Sequence, residues 1–119
     1  MTYTKQDIVE DAGDLSWGEF LVLFYLKNVK KAYKTTIMRD LINRYGDSFE
    51  HGPYEGYGRE YCDEIDEGVE SMRGWGAIAQ DHDSKWYITQ YGIDLVECLM
   101  SGLYAWDEPV EKMIERVKE

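Results

Sequence analysis

The 119 residues carry 13 lysines and arginines against 24 aspartates and glutamates, for a formal net charge of −11. With 44% hydrophobic and 14% aromatic residues the chain can bury a core of its own, which excludes an intrinsically disordered tail. The length fits one domain over residues 1–119 that needs no metal or disulfide staple.

Thr4 to Ala12 reads as a short helix. Ser16, followed three residues later by Glu19, forms a capping box. It opens a first core helix over 17–29, with Phe20, Leu21, Leu23, Phe24 and Leu26 on a broad buried face. A basic connector, Lys30 to Lys34, leads to Thr35 and Thr36, either of which can cap the second core helix. Ile37, Met38, Leu41, Ile42 and Tyr45 recur there at helical spacing, and Gly46 stops it. Asp47 to Gly58 reads as a loop with two tyrosines, Tyr54 and Tyr57, set among glycines. That pairing makes adaptable contact surfaces, or tucks onto a core.

The third core helix is expected from Arg59 to Arg73, with Cys62, Ile65, Val69 and Met72 on one face and Gly74 closing it. Residues 77–80 and 85–88 then read as two strands of a hairpin bridged by Asp81-His82-Asp83-Ser84. Thr89 caps a fourth helix carrying Leu95, Val96, Leu99 and Leu103. Asp107 caps a last one over 107–118, with Pro109 in its first turn and Val110, Met113, Ile114 and Val117 on one stripe. So short a helix must pack on something, either its own core near residues 15–104 or a second copy.

The expected fold class is therefore mostly α with a small β-hairpin. The stretch Gly74 to Leu99 resembles the end of the recognition helix, the wing and the following helix of winged helix-turn-helix regulators of the PadR and MarR type. The likeness is most specific in Trp86-Tyr87-Ile88-Thr89-Gln90-Tyr91-Gly92, an aromatic-x-[LI]-T-x-x-G run. It implies a winged helix with an extra C-terminal helix, in a DNA-binding transcription regulator whose third helix enters the major groove. It also implies a homodimer, built through terminal-helix residues such as Val110, Met113, Ile114 and Val117.

The charges depart from that pattern. A helix turning about 100° per residue from position 59 sets Glu60, Asp63, Glu67 and Glu70 opposite the core stripe. A groove-reading helix carries Arg, Lys, Asn or Gln there. A carboxylate about 7 Å from a phosphate repels it by roughly 1 kcal/mol. Four would consume much of the roughly 4–10 kcal/mol that separates specific from non-specific binding. These acids are either a solvated face, a contact surface for a basic protein, or an imitation of the phosphate charge of DNA.

Against them, residues 27–44 hold a local charge of +5. Lys30, Lys31, Lys34, Thr35, Thr36 and Arg39, with Lys85 in the wing, compose a candidate nucleic-acid edge at a helix N-terminus. The same cations can instead pair with the acidic body.

Chemistry is thin. His82 lies between two aspartates in an exposed turn that cannot wrap an ion, and His51 has no triad-like neighbour. Cys62 and Cys98 lack CxxC spacing and read as core residues of a reduced, cytoplasmic protein. No leader-like segment opens the sequence, and no apolar run reaches the roughly 18 residues of a membrane span. No cofactor is implied and no catalytic residue stands out.

The leading expectation is a non-enzymatic accessory regulator that binds a basic protein through Glu60, Asp63, Glu67, Glu70, Tyr54 and Tyr57. Such a use suits a phage or mobile-element protein. The alternative is a dimeric regulator that grips duplex DNA by the lysine edge and the wing.

Overall fold

A computed structural model describes residues 3–49, 53–56 and 59–101. The helices are α1 (Lys5–Gly13), α2 (Trp17–Val29), α3 (Lys34–Tyr45), α4 (Asp63–Trp75) and α5 (Gln90–Met100). The strands are β1 (Lys31–Ala32), β2 (Tyr54–Gly56), β3 (Arg59–Tyr61), β4 (Ile78–Gln80) and β5 (Trp86–Ile88). The molecule is thus mostly helical with small antiparallel sheets, as the apolar periodicity predicts. The expected last helix, with Val110, Met113, Ile114 and Val117, lies outside the described residues, as do Leu103, Tyr57 and His51.

Two helices start on reciprocal capping boxes. Thr4 Oγ1 accepts from the Asp7 amide at 3.1 Å while Asp7 accepts from the Thr4 amide at 2.9 Å. Ser16 and Glu19 repeat this at 3.2 and 2.8 Å. From Ser16, α2 runs through the centre of the fold, burying Phe20, Leu21, Leu23 and Leu26 completely.

Its crossing with α4 is set by two glycines. A Cβ on Gly18 would sit 2.6 Å from the Glu64 carbonyl oxygen, and one on Gly68 would sit 3.0 Å from the Gly18 backbone. The helices therefore meet backbone to backbone, and Ile65, Val69 and Met72 of α4 reach fully into the core.

The sheet is where sequence and structure first part. β4 and β5 form the expected hairpin, but β1 adds a third strand on the other side of β5, giving the order β1-β5-β4. Lys31 stands opposite Tyr87, and buried Ala32 opposite Trp86. A two-residue strand carries too little pattern to be read as one. It also moves the next cap. With the chain pinned at Ala32, Tyr33 becomes the N-cap of α3 and makes no side-chain cap bond, so Thr35 and Thr36 lie within the first turn. At the junction Lys30 has φ 73° and ψ −57°, a strained conformation for a side-chain-bearing residue.

A second correction concerns the third core helix. Residues 59–61 are extended and pair with β2, placing Tyr61 opposite Tyr54 and Glu60 opposite Glu55. Cys62, extended and fully buried, is the N-cap, and α4 begins at Asp63. The aromatic and thiol at 61–62 continue the helical stripe in register, which disguises the change of backbone. The helix also runs past Gly74. Gly76, at φ 79°, is the C-terminal stop, and the Ala77 amide closes onto the Met72 carbonyl at 2.9 Å.

The Thr89-Gln90-Tyr91-Gly92 run has a local physical reason. Thr89 Oγ1 accepts from the Gly92 amide at 3.3 Å, capping α5, and donates toward the Gly76 and Ala77 carbonyls at 2.7 and 3.0 Å. Gly92 is there because a Cβ would lie 2.3 Å from the Ala77 carbonyl oxygen.

Candidate protein-binding face

The acidic surface comes from two elements, a helix and the hairpin before it. Asp63, Glu67 and Glu70 lie exposed along α4, and Glu60 is exposed on β3. Glu60 therefore does not share the helical phase of α4: it lies on β3, against the α3 residues Thr35, Thr36 and Arg39. Directly across the hairpin stands the exposed Glu55, which sequence reasoning passed over. Two like charges in that register cost a few tenths of a kcal/mol. Tyr54 joins the hairpin to the helix. Its hydroxyl donates to Asp63 at 3.0 Å, and its ring lies 5.8 Å from that of Tyr61.

Glu70 behaves differently from its neighbours. Lys34 approaches it at 3.5 Å and Arg73 at 3.7 Å, so it is not the unpaired anion that the helical projection suggests. Lys34 also forms an ion pair with Asp66, a half-buried residue that sequence reasoning did not single out. Burial alone would raise the Asp66 pKa. The Lys34 ammonium and the Tyr61 hydroxyl outweigh it and hold the carboxyl below its ordinary range.

The lysine edge is largely engaged in the same way. Lys31 pairs with Asp81 at 3.0 Å, across the sheet from its own strand, and lies 5.7 Å from the centroid of the Tyr87 ring. Asp81 meanwhile accepts from the Asp83 and Lys85 amides at 2.9 and 3.0 Å, which fixes the wing turn. Arg39 pairs with the adjacent Asp40 at 3.2 Å, and Lys85 stands over the Tyr33 ring at 5.4 Å. Thr35, Thr36 and Arg39 line a hollow of about 280 Å³ together with Glu60. A phosphate entering there would meet a carboxylate. Lys30 projects from the surface beside this edge.

Phenols hold several aspartates, Asp40 among them beside its contact with Arg39. Tyr3 donates to Asp94 at 2.6 Å, Tyr25 to Asp40 at 2.5 Å, and Tyr91 to Asp11. A neutral hydroxyl satisfies a carboxylate without cancelling its charge. Burial, with the adjoining carboxylate, pushes the Tyr25 phenol up to about 12 and the Tyr91 phenol higher still.

The remaining candidates offer little chemistry. Cys62 and Cys98 are buried and free, and burial raises the Cys62 thiol to about 11, far from a reactive thiolate. His82 points outward, 3.6 Å from Asp83. Among the described residues no helix is long and apolar enough to cross a membrane. Compared with protein-family models, with curated proteins and with solved structures, the chain finds no match.

Proposed function

We propose that this chain is a non-enzymatic accessory regulator on a winged-helix scaffold, and that it captures a protein partner with a basic surface through Glu60, Asp63 and Glu67, flanked by Tyr54. The helix-strand-helix-helix-strand-strand succession from α2 to β5, with sheet order β1-β5-β4, supports the winged-helix reading, the β2–β3 hairpin being an insertion before α4. Two free, buried cysteines fit a reducing compartment such as the cytoplasm.

One observation carries the choice of partner. Lys31 and Lys34 are tied to Asp81 and to Asp66 and Glu70, whereas Asp63 and Glu67 stay exposed on the helix that would have to enter a DNA groove. Duplex binding draws its affinity from lysines and arginines that neutralise phosphates and so release the counterions condensed on the DNA. Here two of those cations already serve the fold. The dimer reading rests on the resemblance and on the apolar stripe of residues 110–117.

The experiment is a charge reversal. Immobilised native chain is used to recover a partner, and the same partner is then offered to the variant Glu60→Lys, Asp63→Lys, Glu67→Lys. Loss of capture, with an unchanged circular dichroism spectrum, is the expected result. Equal recovery by the folded variant would reject the acidic face as the contact.

A further inference from the structure

We propose that the hollow between the second halves of α2 and α3 is a binding site for a small carboxylate with an apolar body. The inference is independent of the acidic-face reading, which concerns α4 and the β2–β3 hairpin.

One buried group points to a ligand there. Tyr45 is 2% exposed, and its hydroxyl has no hydrogen-bond partner among the described residues. Folded chains rarely keep such a group, because burial forfeits the hydrogen bonds that water gave it. Tyr45 lines a hollow of about 250 Å³ together with Phe24, Val29, Leu41 and Arg44. Side chains on a helix lean toward its N-terminus, so the Tyr45 ring runs from position 45 toward Leu41, along this hollow. The Trp17 indole, edge-on to the same ring at 6.3 Å, gives its N–H to Ser48 and not to the phenol.

The walls set the ligand class. Phe24 is held by stacking on Phe20 at 5.7 Å, and Val29 is an apolar side chain left 43% exposed at the mouth. In a chain with 24 aspartates and glutamates, none is among the described residues that line this hollow. Arg44 is exposed and forms no ion pair among the described residues, unlike Lys31, Lys34 and Arg39. Asp40, which feels the charge of Arg44, is already held by the Tyr25 hydroxyl and by Arg39.

Adjacent on α3, one exposed and one buried, Arg44 and Tyr45 approach a guest from the rim and from the floor. A guanidinium and a phenol both donate, and a carboxylate accepts from each with charge assistance. Phe24, Val29 and Leu41 then cover the apolar body. The volume falls just short of the range for drug-sized ligands, so the guest is small.

The test is an amide N–H NMR titration with benzoate and with hexanoate, benzamide and hexanamide serving as neutral controls of the same shape. Saturable shifts at the Asn28 side-chain amide, which lines the hollow, and at the Arg44 and Tyr45 amides are expected with the acids and not with the controls. Arg44→Gln should weaken binding about tenfold. Tyr45→Phe should weaken it by a similar factor and yet raise the urea midpoint of the free chain, because it removes a hydroxyl that the free fold leaves unpaired. An unchanged or lowered midpoint would show that hydroxyl to be satisfied already and would overturn the proposal. So would affinity unchanged in either variant, equal shifts with the neutral controls, or no saturable shift at these residues with either acid. None of these outcomes bears on capture of a protein by α4.

Discussion

The α4 face and the lysine edge carry opposite charge, and the fold treats them in opposite ways. Lys31, Lys34 and Arg39 each meet a carboxylate within the same chain. Asp63, by contrast, receives a phenol hydroxyl, as do Asp11 and Asp94 elsewhere, and keeps its charge. Cations are scarce here and are used to join elements: Lys31 ties β1 to the wing, and Lys34 ties α3 to α4. Tyrosines do the same joining without neutralising anything. Local charge therefore poorly indicates what a surface can still bind, because the cationic edge is largely engaged while Asp63 and Glu67 stay exposed.

The largest expected effect comes from disturbing the crossing that presents the acidic helix. Gly68→Ala forces a Cβ against the Gly18 backbone and should cost about 2–3 kcal/mol in urea denaturation. Gly74→Ala, also in α4 but with nothing within 4 Å, should instead stabilise by up to about 1 kcal/mol. If both variants lose the same stability, the crossing is not the reason for Gly68.

The phenol contacts are probed by alkaline titration. Tyr25 and Tyr91 have raised pKa values in the folded state, so their contribution is complete below pH 10 and is lost as the pH rises through the folded values, about 12 for Tyr25. Absorbance at the phenolate band should show these tyrosines ionising late, together with loss of helical signal. Early ionisation of all ten would contradict the account.

The cation contacts fail at the other end of the scale. Asp66 and Asp81, paired with Lys34 and Lys31, have depressed pKa values, as does Asp40, chiefly through the Tyr25 hydroxyl; the stability they supply is full above about pH 4 and disappears as the pH falls through their folded values. Lys34→Met should remove the Asp66 share of this acid dependence and cost about 1 kcal/mol at neutral pH, allowing for solvent screening. An acid limb identical to that of the native chain would show that Lys34 is only a surface ornament. The smallest effect is expected for Tyr54→Phe, about 0.5 kcal/mol in urea denaturation from one exposed hydrogen bond.

Much of this is legible in the chain itself, where a local rule has one solution. The Ser16–Glu19 box, the apolar stripe of α2, the β4–β5 hairpin and the Thr89 cap are each written in a few adjacent residues. The β1 strand is not, because two residues hold no period and their partner lies more than fifty positions away. The start of α4 is hidden because Tyr61 and Cys62 happen to continue its stripe. Among site residues, Asp63 and Glu67 are readable as an exposed helical face. Glu70 is not, since its pairing with Lys34 spans 36 residues.

The comparison of the two surfaces is tested most directly by fluorescence anisotropy of a labelled duplex titrated with this chain at low salt. A lysine edge already engaged, beneath a helix lined with carboxylates, should give no saturable binding below about 10 µM, the middle of the range for non-specific association. Sub-micromolar binding that weakens steeply with salt, and disappears in Lys30→Glu, Lys31→Glu, Lys34→Glu, would contradict it.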